Sequence, residues 1–352
     1  MTDDVIIRRE GAAGILSLNR PKAIHALTHA MCDAMSDALS QWADDPAVQV
    51  VIVEHAEGRG FCSGGDINLL RQSALTDNGA SGRAFFWSEY RLNHQMFTFE
   101  ERSGGKPIVA FMDGITMGGG VGISQPARFR VATANTRYAM PETGIGLFPD
   151  VGGGWYLSRL KGHVGTFLAV TGGRIDGADC VWAGLSTHYL PTDALADAKA
   201  RIAAGEDIAT VLNALSETPP PSKLSAHADD IARHFGQPTL EAILSSLSAD
   251  NGEWAQKELA ALRTKSPQAC KVSLREIHES LKNADFAAEM VMEYRIAARV
   301  LVLPDFAEGV RAVIVDKDNA PQWQPATPEG VTEAMVDAIF APLPANEEWS
   351  PL

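Results

Sequence analysis

Cysteine is scarce in this sequence, and its placement argues against two classes of protein. The 352 residues include four cysteines, at positions 32, 62, 180 and 270. They form no C-x-x-C pair, so the usual spacing of a zinc module is missing. So sparse a set does not suit the dense disulfide framework of a small secreted protein either. We therefore expect four reduced, mostly buried thiols and no metal site.

Positive charge is in the minority. Lysine and arginine number 30 against 44 aspartates and glutamates, which gives a formal net charge of −14. Most of such a surface repels phosphate backbones and anionic lipid, although a local basic patch can still hold one small anionic ligand. We expect neither a nucleic acid nor a membrane as partner.

Long hydrophobic runs are missing as well. No uninterrupted apolar stretch approaches the roughly 18 residues that suggest a membrane-spanning helix. The composition, 45% hydrophobic and 21% charged, is that of an ordinary globular protein. The opening residues MTDDVIIRRE are acidic where a secretion signal has a basic patch and an apolar core. These features predict a cytoplasmic protein.

Several common catalytic motifs cannot be found. The sequence has no phosphate-binding G-x-x-x-x-G-K-[ST], no G-x-G-x-x-G after a strand and no H-E-x-x-H. Ser124 lies in GISQP, which lacks the flanking glycines of a nucleophile elbow. Dehydrogenase and serine-hydrolase functions therefore lose support.

The first part of the chain alternates strand and helix patterns. Met31, Met35, Leu39 and Trp42 recur at helical spacing behind Thr28, which is a candidate N-cap. Strand-like runs are IIRREGAAGILSLNR (a pair of strands), VQVVIVEHA, KPIVAFMDG and ARFRVATAN. Strands and helices alternate here and are connected by glycine-rich segments. This pattern predicts a layered α/β architecture built from ββα-like units.

The composition changes in the second half of the chain. Three consecutive prolines, residues 219–221, precede a charged, alanine-rich region that reads as amphipathic helix from about 225 to 315. We predict an α/β core at 1–200 and a mainly helical region at 201–352, with the boundary somewhere between 190 and 225.

Two glycine-rich strand ends, GRGFCSGGDI and GITMGGGVGISQ, are each followed by a helical pattern. Peptide N–H groups at a helix start lack intrahelical partners and carry partial positive charge. Two such ends brought together would aim two donors at one carbonyl oxygen, as an oxyanion hole does. The glycines alone are equally compatible with tight turns and close helix packing.

A third segment, YAMPETGIGLFPDVGGGWYLSRL, places two carboxylates, Glu142 and Asp150, among apolar and glycine residues. A carboxylate in such surroundings is usually a helix cap, an ion-pair partner or a site residue, because burying it unpaired costs several kcal/mol. The pair is suggestive without being decisive.

Taken together, these segments resemble the crotonase (enoyl-CoA hydratase/isomerase) superfamily. The matching stretches, in the order of the family, are LNRPKAIHALT, GFCSGGDI, DGITMGGGVG and MPETGIGLFPDVGGG. The resemblance covers nearly the whole chain. It implies a crotonase-like spiral of ββα units with a helical C-terminal region, and it makes residues 1–200 an acyl-CoA-binding core.

The resemblance also implies roles for individual residues. The backbone N–H groups of Gly65 and Gly119 would form the oxyanion hole for a thioester carbonyl. Glu142 and Asp150 would be the catalytic carboxylates. Glu89, in the segment WSEYRLNH, would bind the hydroxyl end of the substrate.

For the CoA part of the substrate, the implied contacts are backbone groups of Ser63, Ala23 and Ile24. Lys22 or Lys317 would meet a phosphate, although exposed lysines need no special explanation. CoA enters as part of the substrate, so no separate cofactor is expected.

One position departs from the hydratase pattern. Hydratases of the superfamily carry a glutamate two residues after the glycine triplet, and here that position is Gly122. Its absence favours the subgroup that hydrolyses short β-hydroxyacyl-CoA thioesters, with 3-hydroxyisobutyryl-CoA from valine breakdown as the implied substrate. An enoyl-CoA hydratase or isomerase, and a non-catalytic acyl-CoA-binding protein, remain as alternatives. A homo-oligomer is possible, since relatives often form trimers or hexamers.

Overall fold

The structure is a computed structural model, and it describes residues 2–352. The strands are β1 (Val5–Glu10), β2 (Ala13–Leu18), β3 (Val50–His55), β4 (Gly60–Cys62), β5 (Ile108–Met112), β6 (Ile115–Met117), β7 (Phe129–Ala132), β8 (Arg137–Ala139), β9 (Ile175–Asp176) and β10 (His188–Tyr189).

Helices occupy the longer intervals between the strands, and all regular structure after β10 is helical in the residues that the structure describes. They are α1 (His29–Asp44), α2 (Ile67–Thr76), α3 (Ala80–Arg102), α4 (Gly119–Gly122), α5 (Gly153–Ser158), α6 (Val164–Thr171), α7 (Gly177–Ala183), α8 (Leu195–Ala203), α9 (Ile208–Leu215), α10 (Ala228–Phe235), α11 (Leu240–Ala249), α12 (Glu253–Leu262), α13 (Pro267–Ser280), α14 (Phe286–Val300), α15 (Pro304–Val310) and α16 (Glu333–Phe340).

Six strands form the larger sheet, in the order β1-β2-β3-β5-β7-β10. The pair β1 and β2 is antiparallel, as the sequence predicted, and the remaining neighbours are parallel. Every residue of β2 and nearly every residue of β3 is buried, because helices cover both faces of this sheet. One face packs against α8 and α9, and the other belongs to the main core with α1 and α3.

The smaller sheet takes the alternate strands, in the order β4-β6-β8-β9. The chain therefore places β3, β5 and β7 in the large sheet and the strand after each of them in the small one. This repetition of two strands followed by helical structure confirms the predicted ββα units. Since β4 and β6 are parallel neighbours, their carboxyl ends lie at the same edge of the sheet.

The first helix follows its sequence pattern closely. Its buried side chains include Met31, Met35, Leu39 and Trp42, the four that recur at helical spacing. Thr28 is the N-cap, and its Oγ1 accepts a hydrogen bond from the Met31 N–H at 3.3 Å. This cap fixes the start of α1 directly after Leu27, whose backbone pairs with Gly65 in an isolated bridge.

The helical region after β10 shares one hydrophobic core with the α/β part. Side chains of α13 and α14 belong to the same buried cluster as those of α1 and α3. Helix α14 contacts α3, and α13 contacts α5 and α6. The division at residue 200 stays a prediction, and α8 runs across that position.

Two expectations from composition can be compared with the structure. All four cysteines are free and buried, as predicted. In the part of the chain that the structure describes, no helix combines the length and the apolar character that crossing a membrane requires.

Removing the N-cap of α1 should lower stability without unfolding the protein. We predict that Thr28→Ala lowers the free energy of unfolding by about 1 kcal/mol, because the Met31 N–H loses its acceptor. Urea denaturation measures the change. Thr28→Ser keeps the hydroxyl and serves as the control; an equal loss in both variants would contradict the capping role.

Candidate active site

A cavity of about 510 Å³ opens where β4 and β6 end. Its walls come from the two glycine turns, from the 3-10 turn Glu142–Ile145 and from helix α3. A later segment closes it with Val313, Ile314, Asn319 and Pro321. The predicted site residues that line it are Ser63, Gly65, Glu89, Gly119, Glu142 and Asp150.

Ala23 and Ile24 lie next to this cavity but are not among its lining residues. The Ser63 N–H donates a hydrogen bond to the Ile24 carbonyl at 2.9 Å, and the Ser63 hydroxyl donates to the Ala23 carbonyl at 3.1 Å. The structure therefore brings these three residues together, and a part for Ala23 and Ile24 in binding stays a prediction.

The two glycine turns touch each other. A Cβ atom added at Gly118 would lie 3.3 Å from the Gly64 Cα, and one added at Gly64 would lie 3.6 Å from the Gly119 nitrogen. At Gly119 an added Cβ would come within 2.5 Å of Glu89 Oε1 and 3.0 Å of the Leu27 side chain. A side chain at Gly118 or Gly119 would therefore press on its neighbours, whereas Gly64 has room for a Cβ but a φ of +113° that side chains rarely adopt.

Their peptide N–H groups are available to a ligand. Among residues 2–352, neither the Gly65 N–H nor the Gly119 N–H donates a hydrogen bond to another backbone group. Gly119 is the first residue of α4, where intrahelical partners are lacking by geometry. Two unpaired donors on adjacent turns beside a cavity agree with the predicted oxyanion hole, which stays a prediction.

Three carboxyl groups lie in the cavity wall although they are almost completely buried. Glu89 is 2% exposed, Asp150 4% and Glu142 5%. The Tyr90 hydroxyl donates a hydrogen bond to Asp150 Oδ2 at 2.8 Å. Within the described residues, Glu89 Oε1 and Glu142 Oε2 have no hydrogen-bond partner. A buried polar atom without a partner is costly, so we expect these two oxygens to form hydrogen bonds with a bound ligand.

Burial raises the pKa of all three carboxyl groups. It raises the pKa of Asp150 to about 7, against the opposing hydrogen bond from Tyr90. Burial, together with the nearby Asp150, raises the pKa of Glu142 well above its usual range. The pKa of Glu89 is raised by burial and by both other carboxyls. Such a site holds protons at neutral pH and can exchange them with a substrate.

The loop after Asp150 is held by a second group of carboxyl groups, which lie on α13 and α14. The Gly152 N–H donates to Glu293 Oε2 on α14 at 2.8 Å. Glu276, Glu289 and Glu293 cluster there with all three side chains buried. The cluster lies near Gly154, where an added Cβ would collide with Glu289. The glycine run of this loop thus permits its close approach to α13 and α14.

No room exists for a side chain at Gly122. A Cβ there would lie 2.6 Å from the Val151 Cβ and 2.7 Å from the Asn93 Nδ2. Asn93 is fully buried and lies one helical turn after Glu89 on α3. Val151 and Asn93 therefore occupy the space that the second glutamate of a hydratase would need.

Two neighbours of the glycine turns have structural roles. The Cys62 Sγ contacts the His25 carbonyl oxygen at 3.2 Å, and burial raises the pKa of this thiol to about 12. The thiol therefore stays neutral and is a poor nucleophile. Asp66 occupies the N-cap position of α2 without making a side-chain capping bond, and it pairs with Arg20 at 3.1 Å.

Several residues of the site were missed by the sequence reasoning. Tyr90 stands beside Glu89 in WSEYRLNH, so its motif was noticed but its contact with Asp150 was not. Arg174 and Lys265 gave no signal, because only the folded chain brings them to the cavity. Within 313–321 the sequence analysis named Lys317, which is not among the lining residues, whereas Val313, Ile314, Asn319 and Pro321 are.

Two backbone N–H groups without a backbone acceptor and three carboxyl groups with raised pKa values thus line one cavity. The chain belongs to the enoyl-CoA hydratase/isomerase family, whose model matches residues 13–340. This finding confirms the family and the fold class predicted from the motifs.

Curated relatives carry the name 3-hydroxyisobutyryl-CoA hydrolase, mitochondrial. The Xenopus tropicalis protein is 39% identical over 354 residues, which cover 97% of this chain and 89% of that protein. The human protein is 37% identical over 355 residues, with 98% and 90% covered.

Two solved structures match over 99% of this chain. One, described as a carnitinyl-CoA dehydratase from Mycobacterium thermoresistibile, has a TM-score of 0.93 at 38% identity and is itself covered to 99%. The other, described as an enoyl-CoA hydratase from Rhodobacter sphaeroides, has a TM-score of 0.91 at 36% identity and is covered to 100%. The fold is thus shared by proteins described with different reactions.

The raised pKa of Asp150 should make the stability of the protein depend on pH. The folded chain keeps this proton up to about pH 7, whereas an unfolded chain releases it near pH 4. The folded state therefore binds more protons in that window, and its stability falls as pH rises. We predict that Asp150→Asn gains stability over the natural chain between pH 4 and 7, by up to about 1.4 kcal/mol per pH unit.

Urea denaturation at several pH values tests this prediction. Asp193→Asn, at an exposed position, is the matched control. A difference between Asp150→Asn and the natural chain that does not grow with pH would contradict the assignment.

Proposed function

We propose that this protein hydrolyses a short β-hydroxyacyl-CoA thioester, with 3-hydroxyisobutyryl-CoA as substrate and 3-hydroxyisobutyrate and CoA as products. The reaction belongs to valine breakdown. One observation carries the proposal: Glu142 and Asp150 share a cavity with two free N–H donors, and Gly122 leaves no space for a second catalytic glutamate.

The N–H groups of Gly65 and Gly119 would receive the thioester oxygen. These two donors stay fixed while negative charge develops on that oxygen. They therefore stabilise the tetrahedral state more than the ground state. Loss of one such donor typically raises the barrier by about 2.7 to 4 kcal/mol.

Glu142 would begin the reaction. Its Oε1 lies 3.0 Å from the position of a Cβ at Gly118, so the carboxylate adjoins the proposed hole. Both routes start from the ionised form of Glu142, which its raised pKa makes the minority form at neutral pH. In one route the ionised Glu142 attacks the thioester carbon, the C–S bond breaks, and water then cleaves the mixed anhydride. In the other, Glu142 takes a proton from water, which attacks the same carbon. Both routes end in a carboxylate and a CoA thiol.

Asp150 would donate a proton to the departing thiolate. A carboxyl with a pKa of about 7 exists in both forms at neutral pH, so it can deliver a proton to the thiolate and regain one from water. Glu89 would hold the substrate hydroxyl, since its unpaired Oε1 faces Gly119 across a short gap.

The CoA moiety would run past Ser63 and its neighbours Ala23 and Ile24. CoA leaves as a product, so the proposal requires no further cofactor. The cytoplasmic location and the homo-oligomer stay predictions; the names of the curated relatives place those proteins in mitochondria.

An enoyl-CoA hydratase is the second candidate, because the family and the name of the Rhodobacter sphaeroides protein favour it. Addition of water by two glutamates needs a carboxylate from the position that Gly122 occupies. Val151 and Asn93 fill that space, which is why hydrolysis is preferred.

The test is release of free thiol from 3-hydroxyisobutyryl-CoA, followed with a thiol-reactive dye, beside crotonyl-CoA followed by its enoyl absorbance. We expect thiol release that falls about a hundredfold or more in Glu142→Gln, because that variant lacks the nucleophile or base. Glu101→Gln changes an exposed glutamate at the end of α3 and is the control. Hydration of crotonyl-CoA without thiol release would favour the hydratase, and CoA binding without either reaction would favour a binding protein.

The hydrogen bond from Tyr90 should set the pH at which Asp150 titrates during hydrolysis. Tyr90→Phe removes a donor to the ionised form, so the pKa of Asp150 rises. We predict an upward shift of the corresponding limb of the pH–rate profile by about one unit.

Tyr294→Phe is the matched control for this shift, since Tyr294 packs edge-on against Tyr90 and makes no hydrogen bond to Asp150 in the described chain. Equal profiles for Tyr90→Phe and Tyr294→Phe would contradict the role of Tyr90.

A further inference from the structure

Three glutamates lie together on two helices, next to the loop that follows Asp150. Glu276 belongs to α13, and Glu289 and Glu293 belong to α14. One carboxylate oxygen from each lies within 4.8 Å of the other two, and all three residues are 0% exposed. Glu289 and Glu293 are four residues apart, so they face the same side of their helix. Two helices therefore bury three carboxyl groups at one point of the core.

Two of these carboxyl groups accept hydrogen bonds, and the donors are neutral. Glu289 accepts from the Ser280 hydroxyl at 2.6 Å and from the Asn283 amide at 2.7 Å. Glu293 accepts from the Gly152 N–H at 2.8 Å. A carboxylate oxygen has two lone pairs, so both groups can still bind a further ligand.

The positive charge that usually accompanies a buried carboxylate is missing from this cluster. Both side-chain oxygens of Glu276, and Oε1 of Glu293, have no hydrogen-bond partner within residues 2–352, and none of the three glutamates takes part in a salt bridge there. By contrast Glu54, which is 7% exposed, pairs with both Arg8 and Lys199. Burying charge without a partner is costly, so the cluster needs a source of positive charge.

A shared proton does not account for Glu276. Two carboxyl groups that share a proton form a short hydrogen bond of about 2.5 to 2.7 Å with each other. Neither oxygen of Glu276 forms a hydrogen bond with any group in the described chain. Oxygens on opposite sides of one Mg²⁺ or Ca²⁺ ion are about 4 to 5 Å apart. Separations of up to 4.8 Å therefore fit three ligands of a single ion.

A second cluster, formed by Asp230, His234 and Asp250, lacks this feature. Both ring nitrogens of His234 have partners, Ser246 Oγ at 2.8 Å and Asp250 Oδ2 at 3.2 Å. Asp250 also pairs with Arg233 at 2.6 Å. Of the two clusters, the glutamates are thus the one with buried oxygens that have no partner.

We infer that Glu276, Glu289 and Glu293 bind one hard divalent cation, of the class of Mg²⁺, Mn²⁺ and Ca²⁺. Carboxylate oxygens are the ligands that these ions prefer, and the cluster has no thiol or imidazole that would favour zinc or copper. The ion supports the structure of the site, because it holds Glu293, whose Oε2 accepts from the N–H of Gly152, two residues after Asp150. The spacing of the cysteines predicted no metal site, but glutamates on two helices leave no such spacing in the sequence. The cation site does not depend on which reaction the protein catalyses.

The experiment counts the divalent cations that the protein binds. Purified protein is treated with a chelator, freed of it, equilibrated with Mn²⁺ and dialysed; elemental analysis by mass spectrometry then counts manganese and any magnesium or calcium that was retained. Glu276→Gln removes one ligand charge with little change of shape. Glu279→Gln removes the same charge from a partly exposed position of α13, where Glu279 pairs with Lys282 at 3.0 Å, and is the matched control. Anomalous diffraction from crystals of the natural protein soaked in Mn²⁺ locates the ion.

We expect about one divalent cation per chain in the natural protein and in Glu279→Gln. Glu276→Gln should bind Mn²⁺ at least about tenfold more weakly, since it lacks one ligand. An ion that binds only the folded state stabilises that state, so Mn²⁺ should raise the unfolding temperature of the first two proteins and not that of Glu276→Gln. Competition by Mg²⁺ and by Ca²⁺ then shows which ion the site prefers.

A natural protein that holds no divalent cation would contradict the inferred site. Equal Mn²⁺ binding by Glu276→Gln and Glu279→Gln would contradict it as well, and so would an anomalous map without a peak between the three glutamates. Because the diffraction experiment uses the natural chain, it decides the question even if Glu276→Gln does not fold.

Discussion

The contact between two glycine turns is the constraint on which the site depends. Gly64–Gly65 and Gly118–Gly119 follow adjacent parallel strands, and a Cβ added at Gly118 or Gly119 would lie 3.3 Å from the Gly64 backbone. This approach leaves two N–H groups without internal partners at one edge of the small sheet. It also lets Glu89 reach Gly119 and Glu142 reach Gly118. A side chain at Gly118 would press on Glu142, and one at Gly119 would press on Glu89.

Burial of the carboxyls follows from helices of both parts of the chain that pack against them. Helix α14 supplies Glu293, which holds the loop after Asp150, and α3 supplies Tyr90, which holds Asp150 itself. Low exposure then raises the pKa of Asp150 into the neutral range. A site with the proposed oxyanion hole on one side and proton-exchanging carboxyls on the other would suit acyl transfer to water better than addition to a double bond, given the filled space at Gly122.

Much of this architecture could be predicted from the sequence, because its signals are local. The cap at Thr28, the apolar face of α1 and the two glycine turns each occupy a few consecutive residues, and the family motifs added Glu142 and Asp150. Other features depend on contacts between distant segments. Asn93 filling the space at Gly122, and Lys265 reaching the turn at Gly144, have no local signature. The extent of the cavity was likewise decided by packing, which left Ala23 and Ile24 outside its lining.

The most direct test of the proposed chemistry is a crystal structure of the Glu142→Gln variant with 3-hydroxyisobutyryl-CoA bound. We predict the thioester oxygen within hydrogen-bond distance, about 2.7 to 3.1 Å, of both the Gly65 and the Gly119 nitrogen. We also predict the thioester carbon beside residue 142. A thioester oxygen that contacts neither nitrogen, with the acyl group away from residue 142, would contradict the oxyanion hole and the role of Glu142 together.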